Sequence, residues 1–137
     1  MSTEIDSLIA AARMAREHAY APYSRFLVGS AVRVRDGRVF TGCNVENASY
    51  GLCNCAERTA LFAAIASGYR PNDFTHLAVI ADTAEPVAPC GACRQVMLEL
   101  GGTQLMVIQA NLHGSVITTT AAALLPGAFT LAADASR

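Results

Sequence analysis

The sequence predicts an α/β domain of three layers, with helices on both faces of a mixed sheet of about five strands. Three observations predict it. Segments with helical periodicity alternate with short apolar runs of strand length along the chain. An Asp36-Gly37 turn joins two of those runs as an antiparallel hairpin. The 137 residues suit one domain, which at this size buries roughly two-thirds of the surface its unfolded chain exposes. No internal repeat, low-complexity tract or linker interrupts residues 1–137, so a single domain is expected.

Helix formers dominate from Thr3 to about Ala19, where Ile5, Leu8, Ile9, Ala12 and Ala15 recur at helical spacing after a Thr3-x-x-Asp6 capping candidate. Pro22-Tyr23-Ser24 breaks that amphipathic helix, and residues 27–34 and 38–42 form the hairpin strands. A second helix begins near Cys55 and runs through Ala60, Leu61, Ala64 and Ile65 to a stop at Gly68. Residues 77–81 are an apolar run suited to a central strand that leads into Pro89-Cys90. The third helix carries Cys93, Val96, Met97 and Leu100 and ends at Gly101-Gly102. Residues 105–108 and 116–119 read as further strands, and residues 121–125 as a short helix ahead of Pro126-Gly127.

Composition narrows the function. A formal net charge of -1 leaves no broad basic field to neutralise a polynucleotide's phosphates, so no nucleic-acid partner is expected. The opening Met1-Ser2-Thr3-Glu4-Ile5-Asp6 is acidic where a secretory signal is basic, and no stretch is long and apolar enough to span a bilayer. Four of the five cysteines stand in Cys-x-Cys or Cys-x-x-Cys pairs, which suits metal ligation in a reducing cytosol better than a disulfide framework. A cytoplasmic protein without membrane contact is expected. All ten basic residues are Arg, which the coding bias of a GC-rich genome explains as simply as thermal adaptation does.

The chemistry is carried by Cys55-Ala56-Glu57 together with Pro89-Cys90-Gly91-Ala92-Cys93. Catalytic zinc usually takes three protein ligands, and Cys55, Cys90 and Cys93 supply three thiolates, each near a helix N-terminus that favours the anionic form. Glu57 can face a metal-bound water without binding the metal and move its protons as general acid/base. Three thiolates carry one more negative charge than zinc neutralises, and the guanidinium of Arg58 can draw off part of the excess. Spacing leaves a blander reading open: Cys53 can complete a closed four-cysteine structural site, and a glutamate in a first helical turn is ordinarily solvated or capping. Cys43 reads as a small core residue, and His18, His76 and His113 as surface or packing residues.

Asn44-Val45-Glu46 sets two polar side chains on one side of an extended segment, suited to sugar hydroxyls or equally to a turn or cap. Phe26 can stack on a flat base or pack in a core. The backbone carbonyl of Ala56 and nearby N–H groups can pair with a base's Watson–Crick edge.

Residues 42–50 (Gly-Cys-Asn-Val-Glu-Asn-Ala-Ser-Tyr), 55–60 (Cys-Ala-Glu-Arg-Thr-Ala) and 89–96 (Pro-Cys-Gly-Ala-Cys-Arg-Gln-Val) resemble the small all-cysteine cytidine deaminases, with a likeness that extends from about Tyr20 to about Phe129. The resemblance implies a cytidine-deaminase-like fold, one zinc per chain, and hydrolysis of cytidine and 2′-deoxycytidine to uridine, 2′-deoxyuridine and ammonia in pyrimidine salvage. It also implies a homotetramer with intersubunit active sites. By the same resemblance Arg58 donates to the ligand sulfurs, Gln95 helps orient the zinc-bound water, Asn44 and Glu46 hold the ribose 3′-hydroxyl, and Phe26 lies near the base. Phe129 and Tyr50 match aromatics at intersubunit positions, where ordinary packing is the alternative. Ser30 departs from the alanine common at its position. The competing functions are deamination of another aminopyrimidine, such as a nucleoside antibiotic, deamination of cytosine in a polynucleotide, and a noncatalytic zinc module that leaves Glu57 idle.

Overall fold

A computed structural model describes residues 3–131. Its elements follow in the order α1 (Thr3–Arg16), β1 (Val28–Val34), β2 (Val39–Cys43), α2 (Ala56–Ala66), β3 (Phe74–Ala81), α3 (Gly91–Gly101), β4 (Met106–Asn111), β5 (Val116–Thr120) and α4 (Ala121–Leu124), with a 3-10 turn at Tyr50–Leu52. The sheet order is β2-β1-β3-β4-β5. β1 runs antiparallel to β2 and β3, β3 and β4 are parallel, and β5 returns antiparallel to β4. The β3–β4 pair needs a crossover, and α3 supplies it.

Alternation along the central strands builds the three layers. Ala78 and Ile80 of β3 join Leu8, Ala12, Ala31, Ile108 and Ala110 beneath α1. Leu77 and Val79 face the other way, into a larger core with Val32, Ala60, Leu61, Ala64, Met97 and Val107 from β1, α2, α3 and β4. The central strands are therefore buried on both faces, while the edge strands β2 and β5 stay largely open. Ser30, on β1, is fully buried and satisfied, its hydroxyl donating to the Ala78 carbonyl at 2.7 Å. That bond accounts for a polar residue where an alanine would also fit.

Two glycines let the helices lie close on the hairpin. A Cβ on Gly29 would stand 2.0 Å from the Ala12 carbonyl oxygen of α1, and one on Gly42 2.5 Å from the Ala60 nitrogen of α2. The second contact presses α2 against β2.

Every element read from the sequence forms, with shifted ends. α1 stops at Arg16 because the amides of Glu17, His18 and Ala19 turn back only three residues, tightening the last turn. Tyr20 is then drawn into extended pairing, donating to the Asn44 carbonyl at 2.9 Å and accepting from the Glu46 amide at 2.8 Å. β3 begins at Phe74, before its apolar run, because Phe74 and His76 pair with Val34 and Arg33 of β1. α2 ends where Gly68 takes a φ of 107°, and α3 where Gly102 takes 87°, both in the left-handed region that favours glycine. Among the described residues no helix is long and apolar enough to cross a membrane. The short stretch after Phe129 leaves a further terminal helix open in the sequence, and residues 132–137 lie outside the described residues.

Candidate active site

Cys55 is the N-cap of α2, Cys90 is the N-cap of α3, and Cys93 lies in the first turn of α3. The two helices approach side by side on one face of the sheet, and the three sulfurs come within 4.8 Å of one another. Cys55 Sγ and Cys90 Sγ are 3.7 Å apart. This is the one cluster of three metal-donor side chains among the described residues. The donor set fits zinc: three soft sulfurs at helix N-termini, graded from buried Cys93 through half-buried Cys55 to exposed Cys90, so the cluster opens toward solvent on one side. Cys53 is outside it. Its sulfur accepts from the Asn47 amide at 3.2 Å and faces the Asn47 carbonyl, so the closed four-cysteine arrangement that spacing left open does not form.

The electrostatics favour anionic sulfur at Cys55, whose thiol is pulled down to about 5 by hydrogen bonding from Cys93 and then from Arg58 and Cys90. Arg58 Nη2 donates to Cys55 Sγ at 3.3 Å, and that bond holds the guanidinium above its ordinary value. Cys93 is driven the opposite way, upward, by its hydrogen bond to Cys55 and by burial. Protons and Arg58 thus share out the charge that a divalent cation would compensate. The Arg58 Nε is buried without a hydrogen-bond partner, on the same side chain that bonds the sulfur.

Glu57 is 4% exposed on α2, and burial pushes its carboxyl up to about 7, with the negative charge at Cys55 adding to the rise. A carboxyl held near neutrality can both take and give a proton. Ala56 beside it is fully buried, its carbonyl lying in the tight α2–β2 contact at Gly42.

The extended segment 44–46 lies between Tyr20 and Asn54, paired to each through Val45. Asn44 and Glu46 both reach the loop at 23–28. Asn44 donates to the Phe26 carbonyl at 2.7 Å and accepts from the Val28 amide at 2.9 Å. Glu46 accepts from the amides of Tyr23 at 3.0 Å and Ser24 at 3.1 Å, and from the Ser24 hydroxyl. These donors, the Ser24 hydroxyl first, hold the Glu46 carboxyl below its ordinary value. The loop contains Arg25 at a φ of 58°, a left-handed backbone for a residue other than glycine, and it presents Phe26 with its ring exposed. Tyr23, Ser24, Glu46, Tyr50 and Cys53 line a depression of about 340 Å³.

Tyr50 and Phe129 are 75% and 69% exposed, and Leu52 is 70% exposed. Tyr50 packs edge-on to Tyr23 with ring centroids 6.3 Å apart. Gln95 Nε2 donates to the Phe129 carbonyl at 3.1 Å and ties the C-terminal segment to α3. The histidines lie elsewhere: His113 pairs with Asp82 at 2.9 Å and His76 with Thr75 at 2.9 Å.

Sequence reasoning missed Thr59 and Asn54, which hold the first ligand. The Thr59 amide and hydroxyl both donate to the Cys55 carbonyl at 3.1 Å, and Asn54 Nδ2 donates to the Thr59 hydroxyl at 3.1 Å. A Thr four residues after an N-cap cysteine is the only local signal, and it is a common one.

A profile described as the cytidine and deoxycytidylate deaminase zinc-binding region matches residues 2–109. A cytidine deaminase of Halalkalibacterium halodurans is 58% identical over 123 residues, covering 90% of this chain and 92% of its own length. One from Sporosarcina psychrophila is 52% identical over 126 residues, covering 92% of this chain and 91% of its own. The crystal structure of cytidine deaminase from Burkholderia pseudomallei superposes with a TM-score of 0.91 at 61% identity, over 94% of this chain and 100% of that one. With three sulfurs gathered at two helix N-termini beside a buried glutamate, this chain belongs to the zinc-binding cytidine and deoxycytidylate deaminase family.

Proposed function

We propose that the chain deaminates free cytidine and 2′-deoxycytidine to uridine and 2′-deoxyuridine, releasing ammonia, in pyrimidine salvage in the cytoplasm. The observation that carries this reading is Glu57, a buried carboxyl held near neutrality beside three convergent sulfurs. Cys55, Cys90 and Cys93 would hold one zinc, which when bound acts as a Lewis acid toward water and lowers its pKa. Glu57 accepts a proton from the attacking water and delivers it to ring N3, which makes C4 electrophilic. It then delivers the second proton to the exocyclic amine, which leaves as ammonia. Arg58 withdraws charge from Cys55 by its hydrogen bond. The Ala56 carbonyl and N–H groups near it would pair with the base's Watson–Crick edge.

Asn44 and Glu46 supply the ribose contacts, and their bonds to loop 23–28 set Phe26 beside the base. Exposed Tyr50, Leu52 and Phe129 would be covered by neighbouring copies in a homotetramer, each completing another's pocket, with residues 1–137 as one domain. A site walled in this way admits a nucleoside rather than a polynucleotide. The test is ammonia release from cytidine and 2′-deoxycytidine by zinc-loaded protein, with Glu57→Gln in parallel at matched zinc content. Turnover by the parent and a loss of about 10²–10⁴-fold in the variant are expected. No turnover by the parent with one zinc per chain retained overturns the reading.

A further inference from the structure

Arg94 directly follows Cys93, and neither the acid/base chemistry nor the sulfur cluster uses it. It nevertheless brackets Cys90. Its backbone N–H donates to the Cys90 carbonyl at 3.0 Å, and its Nε donates to the carbonyl of the preceding Pro89 at 2.8 Å. Pro89 is buried and Cys90 exposed, so the guanidinium anchors from within the peptide that leads to the exposed ligand. The other arm of the fork, Nη1, donates to the Leu124 carbonyl at 3.0 Å, the last residue of α4. Adjacent Gln95 holds the Phe129 carbonyl further along the same segment.

The two ligand turns are built alike but held differently. In α2 the residue four after the N-cap cysteine, Thr59, bonds only locally, to Cys55 and Asn54. In α3 the corresponding residue, Arg94, bonds locally and also reaches the C-terminal segment, 30 residues away in sequence. A planar guanidinium presents its donors in a fixed fork, so its two acceptors are held in a fixed relation; a lysine ammonium holds no such plane.

We propose that Arg94 is a positioning residue whose guanidinium holds Cys90 and the Phe129-bearing C-terminal segment in register with each other. Its kinetic consequence rests on the reading of Phe129 as a pocket wall; its effects on metal retention and segment order do not.

The test compares Arg94→Met, which keeps length without donors, and Arg94→Lys with the parent. Three quantities are read: the rate at which a chelator strips zinc from loaded protein, amide hydrogen exchange, and KM and kcat for cytidine. In Arg94→Met zinc should leave about tenfold faster. Exchange should rise at residues 90–91 and at the amides of 124–131 other than Pro126, while α1 and β1 keep parental protection, and KM should rise more than kcat falls. Arg94→Lys should fall between, and it carries the test if Arg94→Met does not fold. Zinc release at the parental rate, unchanged protection of 124–131, or a uniform loss of protection across the chain overturns the proposal. Should the parent fail to deaminate cytidine, the zinc and exchange readouts still decide Arg94, so the two failures are distinguishable.

Discussion

Gly42→Ala should disable the site without replacing any residue assigned to it. The added Cβ would stand 2.5 Å from the Ala60 nitrogen, 2.6 Å from the Ala56 carbonyl oxygen and 2.9 Å from Thr59 Cβ. Two of these are backbone atoms of α2 and cannot rotate away, so the helix must retreat by about 0.9 Å to restore ordinary contact at 3.4 Å. Gly42 pairs with Ser30 within the β1–β2 ladder, so β2 cannot yield instead without disturbing that pairing. Overpacking of this kind costs about 1–3 kcal/mol. At roughly 4 °C per kcal/mol for a chain of this size, the melting temperature should fall by about 4–12 °C. The displaced helix carries Cys55, Glu57 and Arg58, while Cys90 and Cys93 stay with α3. A misplacement of about 1 Å is worth up to about 10²-fold in rate. Thermal melting, zinc content and ammonia release on one preparation check all three effects. A variant with the parent's melting temperature and turnover would refute the claim that α2 is seated on Gly42.

Arg58→Ala should keep the fold but lose about 10–100-fold in metal retention or turnover, because Cys55 loses its cationic partner; unchanged zinc content and turnover would count against that role. Ser24→Ala removes the foremost donor to Glu46, so its carboxyl pKa should rise toward the ordinary 4.5, as read by carboxyl-carbon NMR titration; no shift would show that the backbone amides suffice. The sign for stability follows. A depressed carboxylate stabilises the fold above the unfolded-state pKa and loses that contribution as pH falls through the folded one, so the variant should be less sensitive to acid in that window. Leu52→Asp places a charge on an exposed apolar position that the proposed assembly covers, and sedimentation should shift toward smaller species; an unchanged sedimentation coefficient would place the interface elsewhere.

Much of the fold was legible because burial imposes its own period. Leu77–Ala81 had to be a strand buried on both faces, and α1 shows its stripe at Leu8, Ala12 and Ala15. Ends were less legible, since pairing partners decide them: β3 starts at Phe74 only because β1 lies alongside. Cysteine spacing and a glutamate two residues on indicated metal chemistry, and zinc's preference for sulfur did the rest. Spacing could not say whether Cys53 joined the cluster. The loop bond to Asn47 answers that, and it is a tertiary contact with no sequence signature.

The sequence by itself determined the order of elements, the candidate sulfur donors and the carboxylate beside them, because these depend on periodicity and on residue chemistry that no fold alters. Only the tertiary structure decided which side chains share a neighbourhood. It buried Glu57 and so raised its pKa, turned Gln95 to Phe129, set Asn44 and Glu46 on one loop, and gave Arg94 two carbonyls 35 residues apart in sequence. Those outcomes rest on desolvation and on hydrogen-bond geometry between distant segments, and both exist only once the chain has packed.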